Sequence, residues 1–199
     1  MNVLILVVWY TKYKKLHRSC YMNLKKEIAK YVPYNLQESK EKEVMLKYFD
    51  TFDNLLTREN EFAHLTASAW IVNPERTKVL MAYHNIYQSW SWIGGHADGN
   101  EDLLQVVLKE TTEETGLVNI IPIMQDIYSV EILGVPSHIK KGSPIATHLH
   151  LNVTYLIEAT ENEETTVKKD ENSAIKWMEL NEAIEACTEP EMKLIYQKL

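Results

Sequence analysis

Cysteine, glycine and proline are scarce in this chain of 199 residues, which holds two Cys, six Gly and six Pro. Cys20 and Cys187 share no metal-binding spacing with each other or with a nearby histidine. Neither a disulfide framework nor a cysteine-based zinc motif is therefore indicated. With 45% hydrophobic residues, the composition is not that of a disordered or collagen-like chain. We expect one globular domain with an appendage, in a reducing, cytoplasmic environment.

Positive charge is also in the minority, with 21 Lys and Arg against 28 Asp and Glu. Because the resulting net charge is −7, we expect no general electrostatic binding to a nucleic-acid polymer or an anionic membrane. The apolar run from Val3 to Tyr10 is far shorter than the roughly 20 residues that span a bilayer, and it lacks the layout of a secretory signal. We interpret residues 1–21 as a leader, either disordered or upstream of a true start at Met22; an extra strand is the alternative.

Residues 22–60 have helical periodicity and form a predicted helical extension. Pro33 divides it, and the second helix is predicted from Leu36 to Thr57. Its apolar positions are more than a lone surface helix needs, which favours a homodimer; folding back on its own domain is the alternative. These positions are Val44, Leu46, Phe49, Phe52 and Leu55.

Residues 61–199 form the predicted main domain, in which strand and helix patterns alternate. A mixed sheet between helices is expected, an α/β or α+β sandwich. The predicted strands are His64–Val72 and Val79–Tyr83 as a hairpin, followed by two β regions, Ile120–Leu133 and His148–Glu158, and the short strand Ile175–Met178. The predicted helices are Glu101–Thr115, ended by Gly116, and Asn181–Leu199, broken near Pro190.

Three carboxylates, Glu110, Glu113 and Glu114, share one face of the predicted helix before Gly116. Like charges at spacings of three and four residues repel each other and destabilise a helix. A hard divalent cation such as Mg²⁺, which takes oxygen ligands, would offset that repulsion. A solvated acidic face is the alternative on these residues alone.

A longer pattern surrounds these carboxylates. The segment is Gly95-x5-Glu101-x7-Lys109-Glu110-Thr111-x-Glu113-Glu114-x-Gly116-Leu117. It resembles the Nudix box, G-x5-E-x7-R-E-U-x-E-E-x-G-U with U aliphatic, of the Nudix (MutT-like) hydrolases. Every glycine and glutamate of the motif is present, while Lys109 replaces the family's arginine and Thr111 an aliphatic residue. Lysine offers a point charge instead of a planar fork, and the threonine adds a hydroxyl that needs a partner.

The resemblance implies a Nudix-type α/β/α sandwich with a mixed sheet from about residue 61, preceded by the N-terminal helical extension. It makes Glu110, Glu113 and Glu114 ligands of Mg²⁺, for which Mn²⁺ can substitute, with the Gly94 carbonyl as a further ligand. Gly95, Glu101, Lys109 and Gly116 become a structural brace, in which Glu101 pairs with Lys109.

The implied activity is metal-dependent hydrolysis of a diphosphate bond in a nucleoside diphosphate linked to another moiety, a small-molecule substrate. Glu110 is the first candidate for the general base and Glu171 the second; Glu163 and Glu164 are also available. Two alternatives remain. Isopentenyl diphosphate isomerases have a related box but use an active-site cysteine on a strand before it. Such an enzyme is disfavoured because residues 64–83, the equivalent region here, hold no cysteine. A non-catalytic nucleotide-binding module is disfavoured because the box carboxylates are all present.

Outside the carboxylates, three histidines are predicted to contact substrate. His148 and His150 alternate along a strand and so project from one face, and His96 lies in the box loop. Aromatic residues could stack on a base, although core packing is the expected role for most of them. They are Trp70, Tyr87, Trp90 and Trp92.

Overall fold

The computed structural model describes residues 21–140 and 142–199. Residues 21–30 are helical (α1), and α2 spans Leu36–Thr51. The strands that follow are β1 (Ala63–Val72), β2 (Lys78–His84), β3 (Ser89–Ser91) and β4 (Ile93–His96). Helix α3 (Leu103–Thr115) separates these from β5 (Ile121–Pro122), β6 (Ser129–Val135), β7 (His138–Lys140), β8 (Ser143–Ile145), β9 (His148–Glu158) and β10 (Asn172–Glu179). Helices α4 (Leu180–Ala186) and α5 (Pro190–Tyr196) follow.

Eight strands form one mixed sheet built around β1. Its path runs β10-β2-β1-β9-β5, while β3 pairs with β2, β4 with β1 and β6 with β9. The central pair, β1 and β9, is parallel and in register from Ala63 opposite Leu149 to Val72 opposite Glu158. Strands β7 and β8 form a separate hairpin that the sequence did not predict.

Side chains alternate between the two faces of this sheet and fill two cores. Leu65, Ala67, Ala69 and Ile71 of β1 face a core that includes residues of α1, α2 and α3. Trp70 and Val72 face a second core with residues of α4 and α5. The predicted mixed sheet between helices is confirmed.

The helical extension packs on its own chain. Met45, Phe49 and Leu55 are buried in the first core, and α2 lies against β6. Buried Glu38 accepts hydrogen bonds from the Val130 backbone N–H and from Lys198 Nζ, both at 3.0 Å. The apolar stripe is thus covered within the chain, so it no longer argues for a homodimer, which stays a prediction without that support.

Several boundaries differ from the expected ones. Helix α2 ends at Thr51 rather than Thr57, because Phe52 is extended and the chain then turns to place Leu55 and Leu56 in the core. The predicted β region Ile120–Leu133 contains β5 and most of β6, which ends at Val135. The predicted leader, residues 1–21, lies outside the described residues except for Tyr21. That residue is 7% exposed and donates a hydrogen bond to the Phe52 carbonyl, so it belongs to the core.

Candidate active site

Helix α3 carries the predicted metal ligands and is well defined at both ends. Asp102 caps it by accepting a hydrogen bond from the Gln105 backbone N–H at 3.0 Å. It therefore begins at Leu103, two residues after the predicted Glu101. Gly116 ends it in the left-handed region at φ 76°, as predicted, and Thr166 leaves no room there for a side chain.

The three carboxylates of α3 differ in their burial. The Glu113 side chain is 45% exposed and that of Glu110 is 14% exposed, while Glu114 is only 4% exposed. Lys109 Nζ contacts Glu110 Oε1 at 3.3 Å and Glu113 Oε2 at 3.2 Å. The lysine in the family's arginine position thus lies between two predicted ligands; its pairing with Glu101 stays a prediction.

Glu114 is a buried carboxyl that is only half satisfied. Its Oε2 accepts a hydrogen bond of 2.7 Å from Asn172 Nδ2. Its Oε1 has no partner among the described residues, although it is buried. Burial raises the pKa of Glu114 to about 7, and the nearby charges of Glu171 and Glu110 add to this against the opposing effects of Asn172 and Lys168. A cation at Oε1 would reverse this shift, so the donor set fits a metal ion.

Gly95, the first residue of the box, and the preceding Gly94 are both required by close packing. A Cβ on Gly95 would lie 2.6 Å from Cγ and Cδ of Glu110, so the loop and the carboxylate are in direct contact. A Cβ on Gly94 would lie 2.6 Å from the Ala67 carbonyl oxygen and from Ser68 Oγ, in the neighbouring strand. Gly95 therefore makes room for Glu110, whereas Gly94 makes room for the backbone of β1.

Thr111, the second departure from the box, is fully buried. Its Oγ1 has no hydrogen-bond partner in the described part of the chain. An unpaired buried hydroxyl costs about 1–3 kcal/mol. The aliphatic residue of the family pattern would avoid this cost.

Among the three later-loop candidates for the general base, Glu163 and Glu171 have different surroundings. Glu163 accepts hydrogen bonds from the backbone N–H groups of Val118 and Asn119, so it anchors the turn after α3. Glu171 directly precedes Asn172, the partner of Glu114, and pairs with Lys168 at 3.2 Å. Of the two, Glu171 lies nearer to the α3 carboxylates.

The three predicted substrate-binding histidines meet in one cluster, together with His64. Ring centroids of His96 and His150 are 4.9 Å apart, and those of His148 and His150 are 5.1 Å apart. Burial lowers the pKa of His96 to about 3 and that of His150 to about 2. The imidazoles of His96 and His150 are therefore neutral at pH 7, and they would not supply a phosphate with positive charge.

The candidate stacking aromatics include residues buried in the core and one that is partly exposed. Trp70 and Trp92 are buried in the second core and pack edge-on against Tyr196, so their packing role is confirmed. Tyr87 is 37% exposed and stacks on His84 at 4.4 Å. His84 lies opposite Asn172 in the β2–β10 pairing, so this aromatic pair is close to the residue that contacts Glu114.

Two residues that shape these clusters were not predicted, Asn172 and His64. Asn172 follows an acidic loop and opens β10, and no local pattern in the sequence relates it to α3. His64 is the second residue of β1, and only the parallel register with β9 brings it opposite His150. Local sequence patterns place neither residue in its cluster, because both contacts are between segments that are distant in the chain.

Comparison with known proteins identifies the family. A family model for the NUDIX domain matches residues 62–199, well over half of the chain. The chain therefore belongs to the NUDIX family, and the prediction that it is a Nudix hydrolase is confirmed. No curated protein matches the sequence.

Solved structures agree on the fold. A C. elegans Ap4A hydrolase binary complex is similar with a TM-score of 0.50 and 22% identity, over 67% of this chain and 93% of that chain. The E. coli dihydroneopterin triphosphate pyrophosphohydrolase gives a TM-score of 0.51 and 14% identity, over 68% of this chain and 93% of that one. In the described residues, no helix is long and apolar enough to cross a membrane.

Proposed function

We propose that this Nudix hydrolase cleaves a diphosphate bond in a nucleoside diphosphate linked to another moiety, with Mg²⁺ as its metal and Mn²⁺ able to substitute. The observation that carries the proposal is the unpartnered, buried Oε1 of Glu114, on the same helix face as Glu110 and Glu113. Leaving one oxygen of a buried carboxyl unsatisfied is unfavourable unless a cation occupies the position beside it.

Glu110, Glu113 and Glu114 would hold the metal, with the Gly94 carbonyl as an additional ligand. When bound, the ion would neutralise the diphosphate and stabilise the departing phosphate oxygen. Carboxylate and carbonyl oxygens are the ligands that Mg²⁺ prefers.

In the proposed reaction, a side chain of the protein acts as general base and takes a proton from the attacking water. The new O–P bond forms as the bridging P–O bond breaks. Glu110 is the first candidate, because its carboxylate lies directly against the box loop at Gly95. Glu171 is the second, since it is next to Asn172, the hydrogen-bond partner of Glu114.

The nucleoside part of the proposed substrate would stack on Tyr87. This ring is partly exposed and lies on His84, near the Asn172 side of the carboxylates. Aromatic faces stack on any nucleobase, at about 1–3 kcal/mol per base. The similarity to an Ap4A hydrolase fold is consistent with a nucleotide substrate.

The test is a panel of diphosphate compounds incubated with the full chain and MgCl₂, with product release followed by chromatography. The panel holds ADP-ribose, Ap4A, other nucleotide sugars, nucleoside triphosphates and non-nucleotide diphosphates. We expect cleavage of at least one nucleoside diphosphate derivative, at a rate that falls in Tyr87→Ala mainly through KM. Cleavage of non-nucleotide diphosphates alone would contradict the nucleoside assignment. No cleavage of any compound in the panel would contradict the proposed diphosphate hydrolysis.

A further inference from the structure

Four histidines are brought together by the pairing of three strands. The parallel register places His64 on β1 opposite His150 on β9, and His148 lies two residues earlier on the same face of β9. Strand β4 pairs His96 with Thr66, which is two residues after His64 and shares its face. One face of the sheet therefore presents all four rings.

The ring nitrogens are close enough to share one ion. One nitrogen each from His64, His96 and His150 lies within 4.8 Å of the other two. The Nε2 atoms of His148 and His150 are 3.3 Å apart. Two histidine ligands of a tetrahedral zinc ion, each at 2.0–2.1 Å, have nitrogens about 3.4 Å apart. Small side-chain rotations would bring three of these nitrogens to that spacing.

Two of the rings are already oriented by backbone carbonyls. His64 Nδ1 lies 3.1 Å from the Asn60 carbonyl oxygen, and His148 Nδ1 lies 2.8 Å from that of Ala146. A carbonyl can only accept, so each Nδ1 carries the proton and each Nε2 keeps its lone pair. Metal-binding histidines commonly donate their second ring nitrogen in this way.

His64 provides the independent sign of a missing ligand. The residue is 4% exposed, and its Nε2 has no hydrogen-bond partner among the described residues. The ring is within 5.1 Å, centroid to centroid, of the three other imidazoles. A buried lone pair that faces three imidazoles is poorly placed for a hydrogen bond but well placed for a metal ion.

We propose that His64, His96 and His150 bind one divalent transition-metal ion of the Zn²⁺ type, at a site separate from the α3 carboxylates. Imidazole ligands suit Zn²⁺, Cu²⁺ and Ni²⁺, whereas Mg²⁺ takes oxygen ligands, so the two sites differ in metal preference. His96 lies on the face of β4 opposite to Gly95, the glycine that contacts Glu110. Three protein ligands leave a fourth position for water.

The test measures metal binding rather than turnover, so it is independent of the proposed reaction. The full chain, freed of metal with EDTA and dialysed, is titrated with ZnCl₂ by calorimetry and with CoCl₂ by visible absorption. We expect one equivalent of Zn²⁺ per chain and a visible Co²⁺ spectrum of tetrahedral type. In His96→Gln and His150→Gln, affinity should fall by more than the roughly 10–100-fold that is lost when an outer-shell partner is removed.

Two matched controls make the result specific. His138→Gln changes a histidine whose ring centroid is 6.4 Å from that of His148 but which is not among the three ligands. Glu113→Gln changes the carboxylate site instead. Both should bind Zn²⁺ as the wild type does, and circular dichroism melting shows which variants are folded. No stoichiometric Zn²⁺ binding at micromolar concentration, binding unchanged in folded His96→Gln, or binding lost in folded Glu113→Gln would each overturn the proposal.

Discussion

Glu114→Gln should stabilise the metal-free protein at neutral pH while it removes a proposed metal ligand. The carboxyl is 4% exposed and its Oε1 has no partner in the described structure. Its pKa is about 7 instead of 4.5, chiefly because burial disfavours the charged form. Glutamine keeps the shape of the protonated acid and cannot ionise, so the substitution removes the burial of a charge.

The size and pH range follow from the raised pKa. Below pH 4.5 the carboxyl is protonated in both folded and unfolded chains and has no effect on stability. Between about 4.5 and about 7 the unfolded chain loses the proton that the folded chain keeps, so the free energy of unfolding falls as pH rises. The full loss is about 3 kcal/mol, at 1.36 kcal/mol per pH unit, or roughly 6–12 °C in melting temperature.

The assay is thermal unfolding in EDTA at pH 4 and pH 8. We expect Glu114→Gln to melt well above the wild type at pH 8 and close to it at pH 4. Glu113→Gln is the matched control, since that side chain is 45% exposed and should change stability by less than about 0.5 kcal/mol. A Glu114→Gln protein that is equally or less stable at pH 8 would refute the assignment of Glu114 as an unsatisfied buried acid.

Two further predictions concern the box. Gly95→Ala places a methyl group 2.6 Å from Glu110 and should move that carboxylate, lowering kcat by roughly 100-fold with little change in melting temperature. Gly134→Ala, whose Cβ meets nothing within 4 Å, should leave kcat unchanged; equal kcat in the two variants would contradict the role of Gly95. Thr111→Val removes an unpaired buried hydroxyl and should raise the free energy of unfolding by about 1–3 kcal/mol in urea denaturation. Thr112→Val, at an exposed position, should not raise the free energy of unfolding. A Thr111→Val protein that is less stable than the wild type would show that the Thr111 hydroxyl has a hydrogen-bond partner.

Local patterns predicted the segments whose structure is decided locally. Helix α3 and its end at Gly116 follow from side-chain periodicity and from the one residue type that adopts the left-handed region readily. The hairpin of β1 and β2 and the break before Pro190 were predicted on the same grounds. The Nudix box was identified because its spacing lies within one continuous loop and helix.

Features that depend on contacts between distant segments were not predicted. Asn172 is 58 residues from Glu114, and they meet because the loop before β10 runs along the end of α3, where the Thr166 N–H donates to the Thr115 carbonyl. The position of His64 in the histidine cluster depends on a parallel register across 86 residues of chain. The helical extension was expected to pack either on a partner subunit or back on its own domain, and the buried Glu38 joins it to β6 and to Lys198 of the same chain.

The dependence of turnover on the α3 carboxylates and a divalent metal tests the central claim most directly. The measurement is kcat for the best diphosphate substrate of the panel, in wild type and Glu114→Gln, with MgCl₂ and with excess EDTA. We predict that EDTA abolishes turnover of the wild type, that MnCl₂ or MgCl₂ restores it, and that folded Glu114→Gln is slower by at least about 100-fold in MgCl₂. Wild-type turnover that persists in excess EDTA, or a Glu114→Gln protein as fast as the wild type, would contradict the account.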